Sequence, residues 1–135
     1  MGIKPTNTGE PFWLFLSILC LPIEEQLEII GGVPSKKDNS KISMHGTNAD
    51  HLLWALEEYY NGWYDEIDEN GPGEEIITLI QSGSFEQINY LESFVEGKSW
   101  LKIRSLAKEA IKQAKLEPWP INGTINFYEY IELQD

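Results

Sequence analysis

The sequence predicts a mainly α protein: residues 1–135 as one compact single-domain helical bundle of about six helices, with one C-terminal β-strand. Three observations predict it. Apolar residues are 41% of the chain and aromatics 12%, enough to fill a real core. Most apolar residues recur at three- and four-residue spacing, in runs separated by Gly, Pro and Ser. Only the tail, Thr124–Leu133, alternates, and it is rich in Ile, Tyr and Phe.

Residues 1–9 read as a loose N-terminal arm. Thr8 as N-cap and Pro11 in the first turn predict a helix to about Leu21. Its segment Phe12–Leu21 is apolar all round apart from Ser17, which marks a central core helix or half of a subunit interface. That run is too short to cross a bilayer, which takes roughly 20 residues. A basic leader and a small-residue cleavage step are both missing around it, so the expectation is a cytoplasmic protein without a membrane partner. Pro22 opens a second helix, Ile23–Ile30, with Gly31-Gly32 as a left-handed cap. Residues 33–46 read as a polar loop, with 41–45 a candidate short strand.

Thr47–Asp50 resembles a capping box, with Asp in place of the usual Glu or Gln, and starts a helix to about Ile67. Asn70-Gly-Pro-Gly73 breaks it. Glu74–Gln81 and Phe85–Glu96 read as two helices around the turn Ser82-Gly-Ser84, the second started by a Ser84/Gln87 capping box, together a helical hairpin. Gly97 ends the pair, and Ser99 caps a last helix running to about Glu117, where Pro118 and Pro120 stop it. Asn122-Gly123 is a turn. The strand beyond it needs a partner, either a small hairpin with residues 41–45 or a second copy of the chain.

The net charge is −12, from 22 acids and 10 bases, which argues against nucleic-acid binding because phosphate contacts by Lys and Arg supply most of that affinity. A single Cys excludes an intramolecular disulfide framework. The charge is segregated. From Ile42 to Gly97 there are twelve acids and no Lys or Arg, whereas Lys98–Lys115 carries six bases against Glu109. Winding the last helix puts Trp100, Ile103, Leu106, Ala107, Ala110, Ile111 and Ala114 on one side and all six bases on the other, with Leu101 misplaced among them. The expectation is a solvated face that partly compensates neighbouring acids, with an anionic ligand as the alternative.

Catalytic signals are poor. His45 and His51 lack zinc-ligand spacing, and Cys20 sits in the apolar run as a buried small hydrophobe. The stretch Asp65–Gly71 suggests a calcium loop, but its twelfth position is Ile77 where a bidentate Glu is needed. No phosphate-binding glycine loop or nucleophile elbow is present. The expectation is therefore no catalytic residue, no cofactor and no metal.

The informative element is the helix after Thr47. Its apolar face is Ala49, Leu52, Leu53, Leu56, Tyr59, Tyr60, Trp63, Tyr64 and Ile67. On the opposite face Trp54 sits among Asp50, Glu57, Glu58, Asn61 and Asp65. Either a neighbouring element covers that indole, the N-terminal arm or the C-terminal strand, or it anchors an interface with a basic partner. On the second reading Trp54, Asp50, Glu57, Glu58, Asn61 and Asp65 are the partner-binding residues.

In size and charge the chain resembles bacterial immunity proteins and antitoxins, which block basic nuclease toxins; no motif carries the likeness. It implies a toxin-like basic protein partner. Two other functions compete: a structural or adaptor module that forms a homodimer through the apolar first helix and the terminal strand, and a small enzyme with a carboxylate-lined pocket.

Overall fold

The computed structural model describes residues 10–31, 33–41, 46–60, 71–115 and 117. Outside the described residues lie the N-terminal arm, the candidate strand beyond Lys41, the helix continuation past Tyr60 (with Asn61 and Asp65), the calcium-like loop before Gly71, and the strand 124–133. The described part is mainly α and compact, as expected. Its helices are α1 (Glu10–Leu19), α2 (Ile23–Ile30), α3 (Asn48–Tyr59), α4 (Pro72–Gln81), α5 (Leu91–Glu96) and α6 (Lys98–Gln113).

Helix α1 is the centre. Every residue from Phe12 to Leu19 is buried, including Ser17, whose Oγ donates to the Trp13 carbonyl at 2.7 Å. That bond satisfies the hydroxyl inside the helix and explains how a serine sits in this apolar run. The helix packs against both α3 and α6, and α4 packs against both as well. Helices α3 and α6 therefore stand across the bundle from each other. The shorter α2 leans on α1 and α3, and α5 on α6. With α1 enclosed by its own chain, the homodimer seam expected along it is an intramolecular core.

Helix α1 ends at Leu19, two residues before the expected Leu21, because Gln26 caps it from the next helix. The Gln26 side chain is 1% exposed, and its Nε2 donates to the carbonyls of Leu21 (2.6 Å) and Leu19 (3.3 Å). Gly31 closes α2 at φ 91°, ψ 176°, a glycine-only region and not the expected left-handed cap. A side chain there would meet Asn48 Nδ2 at 2.7 Å, and that amide donates to the Ile30 carbonyl at 2.6 Å. The first residue of α3 thus caps the end of α2.

Residues 33–41 are not all loop: Lys36–Lys41 forms a 3₁₀ turn with a kink at Asp38. Two contacts fasten the segment to α5. Leu91 N donates to the Pro34 carbonyl at 3.0 Å, and Glu92 accepts from Ser35 Oγ and from Lys36 N (2.9 Å). The Ser35 and Lys36 bonds hold the Glu92 carboxyl below its ordinary value of 4.5. A carboxylate depressed in the folded state stabilises above its unfolded pKa and loses that contribution as pH falls through the folded one. The protection of the Lys36 amide against hydrogen exchange, taken relative to its intrinsic rate at each pH, is therefore expected to fall below the ordinary glutamate pKa, and Glu92→Gln is expected to remove that loss.

The predicted helix Phe85–Glu96 is shorter than its pattern. Only Leu91–Glu96 is helical, and the Ser84/Gln87 capping box does not form; Ser84 N donates instead to Ser82 Oγ at 3.3 Å. The reason is tertiary: the backbone at Asn89 is bonded to Thr47 and Asp50, as described below, which holds 85–90 out of helix. The expected hairpin is replaced by α4 and α5 packing separately on α6. Ser99 does not cap α6; its Oγ donates to the Ser84 carbonyl at 3.1 Å, and Gly97 is both the last cap of α5 and the first of α6. A Cβ on Gly97 would lie 2.4 Å from the Ser93 carbonyl oxygen, so only glycine permits this turn. Helix α6 stops short of Glu117, with Lys115 in the left-handed region at φ 59°.

Candidate functional site

Helix α3 starts with a complete capping box: Asp50 N is bonded to Thr47 Oγ1, and Asp50 Oδ2 accepts from Thr47 N at 2.7 Å. Its inner face is Ala49, Leu52, Leu53, Ala55 and Leu56, all buried. Tyr59 and Tyr60 lie half-buried against Phe15 (5.9 Å between centroids) and Phe12 (5.5 Å) on α1. This packing fixes the rotation of α3, and with it which side chains face water.

Trp54 faces water and is 43% exposed. Among the described residues it and Leu101 on α6 are the only exposed large hydrophobics. Glu57 and Glu58, three and four residues on, flank the indole and are exposed. Neither carboxylate has a hydrogen bond or an ion pair to a described residue. Trp54, Glu57 and Glu58 therefore form one open acidic patch around an aromatic ring. Asn61 and Asp65, expected to extend it, lie outside the described residues.

Asp50, also expected at this site, is engaged inside the molecule. Beyond the capping box, its Oδ1 accepts from Asn89 Nδ2 at 2.7 Å and from Asn89 N at 3.2 Å. Asn89, 2% exposed, continues the network: its Oδ1 accepts from Trp100 Nε1 at 3.0 Å, and its carbonyl accepts from Thr47 Oγ1 at 2.5 Å. Asp50 thus joins α3 to α6 through the loop 85–90, and its acceptor sites are occupied.

The structure also corrects the charge pattern of α6. Of the six bases in Lys98–Lys115 five are exposed, but Arg104 is only 8% exposed and lies on the apolar side of α6. Its guanidinium covers the Phe94 ring (4.6 Å) and the Trp100 ring (5.6 Å). Nε donates to Gln26 Oε1 at 3.1 Å, Nη2 donates to the Phe94 carbonyl, and Nη1 is buried without a partner. Burial pushes the Arg104 pKa down to about 10, which leaves it charged at neutral pH. The exposed lysines, Lys98, Lys102, Lys108, Lys112 and Lys115, make no ion pair with a described carboxylate.

Other chemistry is sparse among the described residues. No group of three or more His, Cys, Asp and Glu is placed to hold a metal, and no helix is long and apolar enough to cross a membrane. Cys20 is half-buried, and burial raises its thiol pKa, with Lys108 opposing, so the thiol stays protonated and a poor nucleophile. One open groove of about 540 Å³ is lined by Gly71, Glu74, Glu75, Thr78, Ser82 and Lys102. Its two glutamates are exposed.

No protein family, curated protein or solved structure is measurably similar to this chain.

Proposed function

We propose that the chain is a non-catalytic binding protein whose α3 face docks onto, and masks, a basic protein partner, in the manner of an immunity protein or antitoxin blocking a nuclease-like toxin. The observation that carries this reading is Trp54: an indole left 43% exposed in a face whose other exposed side chains, among the described residues, are Glu57 and Glu58. Exposing a Trp gives up apolar burial that a monomer would otherwise use, and Trp is among the residues most enriched at binding hot spots. Unpaired carboxylates around it steer a cationic surface onto the ring and repel acidic proteins. A nuclease must itself be basic to hold phosphate, so it presents the complementary surface.

Trp54→Ala is expected to weaken the complex by at least ~2 kcal/mol, about a thirtyfold rise in Kd, while the helical circular dichroism and urea midpoint stay at wild-type values. Glu57→Gln with Glu58→Gln is expected to slow association and flatten its salt dependence. The partner is sought by capture on immobilised protein at low salt, releasing at high salt, and titration calorimetry then compares wild type with Trp54→Ala. A salt-sensitive basic partner whose Kd is the same for both chains would remove the site.

A further inference from the structure

The two exposed large hydrophobics among the described residues sit in patches of opposite charge. Trp54 lies with Glu57 and Glu58 on α3; Leu101, 53% exposed, lies on α6 with Lys98 and Lys102 beside it and Lys108 two turns on. Helices α3 and α6 stand across the bundle from each other, each packed on α1 and on α4, so the two patches look away from one another. They cannot meet within one molecule. They are complementary between molecules: an indole with the two unpaired carboxylates Glu57 and Glu58 beside it, and a leucine with the ammonium groups of Lys98 and Lys102 beside it.

We propose that a second copy of this chain docks its Lys98/Leu101/Lys102 face onto the Trp54/Glu57/Glu58 face of the first. The apolar centres cover each other, the lysines meet the glutamates, and an ammonium can also lie over the indole. Because the two patches differ, the contact is head-to-tail, and each added copy again offers one free face of each kind. Such contacts propagate into rings or open chains, not a closed two-fold dimer. The net charge of −12 per copy opposes approach at long range, but salt confines that repulsion to about 8 Å near 0.15 M, where the local pairs decide. The association is accordingly weak and concentration-dependent. It uses the same indole as the basic partner proposed above, so the two compete for it.

The test is sedimentation velocity from about 10 µM to about 1 mM near 0.15 M salt, on four proteins: wild type, Glu57→Lys with Glu58→Lys, Lys98→Glu with Lys102→Glu, and a one-to-one mixture of the two variants. Wild type is expected to sediment progressively faster with concentration. Each charge-reversed variant alone is expected to remain monomeric, with an apparent Kd at least tenfold higher, and the mixture to associate again. Circular dichroism confirms that the variants fold, since all four positions are exposed. A wild type that is monomeric throughout, variants that associate as it does, or a mixture that fails to associate would each overturn the proposal. The lysine reversal separates the two readings: it breaks self-association and leaves the Trp54 face intact for a basic partner.

Discussion

Replacing Asn89 by alanine is expected to cost about 3 kcal/mol of stability, read as a lower urea midpoint with an unchanged slope. The side chain joins three elements. Its amide donates to Asp50 on α3 and its carbonyl oxygen accepts from Trp100 on α6. Trp100 is 1% exposed, so its indole N–H would be left without water or protein to bond, and Asp50 Oδ1 would lose its shortest donor. Each buried group orphaned in this way costs about 1–3 kcal/mol. Asn89→Asp is the sharper variant. It keeps an acceptor for Trp100 but sets a second carboxylate against Asp50, at a contact now 2.7 Å long. Two carboxylates that close cannot both ionise, so the pair binds a proton more tightly folded than unfolded. A folded pKa raised above the unfolded one gives stability that is present at low pH and lost as pH rises through it. The Asn89→Asp deficit is therefore expected to be large at pH 7 and to shrink in acid. A deficit for Asn89→Asp that does not depend on pH would show that the network is not held by that contact.

Arg104→Ala is expected to be at least as damaging, about 3–5 kcal/mol, because it opens a cavity beneath two rings and strips a donor from both Gln26 and the Phe94 carbonyl. The charge itself is not what holds the site together. With a folded pKa near 10, below the ordinary arginine value, the charged form is penalised by burial, and no described carboxylate pairs with it. Arg104→Met keeps most of the volume and discards the charge, so it is expected to cost about 1–2 kcal/mol, less than Arg104→Lys, which keeps the charge and loses the flat stacking surface. The sign of the pH dependence follows. A cation whose pKa falls on folding is disfavoured below that value, so the arginine's contribution improves as pH rises through about 10 toward the ordinary arginine value, and the gap between wild type and Arg104→Met widens in that direction. If Arg104→Lys proves the milder change, the stacking account fails.

These two residues mark where reading the sequence stops. Asn89 was one polar residue in what scanned as an amphipathic helix; nothing within four positions shows that it bonds Asp50, 39 residues away, and Trp100, 11 residues away. Once those bonds form, the helix pattern of 85–96 loses to them. Arg104 was placed with the other bases because helical winding sets it at the edge of the stripe, and only its reach to Gln26, 78 residues away, draws it inside. Asp50 was read as part of an acidic face from its three- and four-residue neighbours. The same carboxylate caps the start of α3, and Asn89 is a further claimant on it.

The local rules succeeded where partners lie within one helical turn. The bounds of α2, the start of α3 at Thr47 and the inner faces of α3 and α6 follow from periodicity, capping and proline placement, because those interactions are complete inside a few residues. The sequence by itself determined a helical chain with a buried first helix and its charge divided between two segments. Tertiary packing alone decided which polar side chains turn inward to bond across the core, how α1 separates α3 from α6, and hence that Trp54 and Leu101 are left facing water on opposite sides. The physical reason is range: helical pattern is set by neighbours a turn apart, while exposure is set by whichever distant element arrives to cover a face.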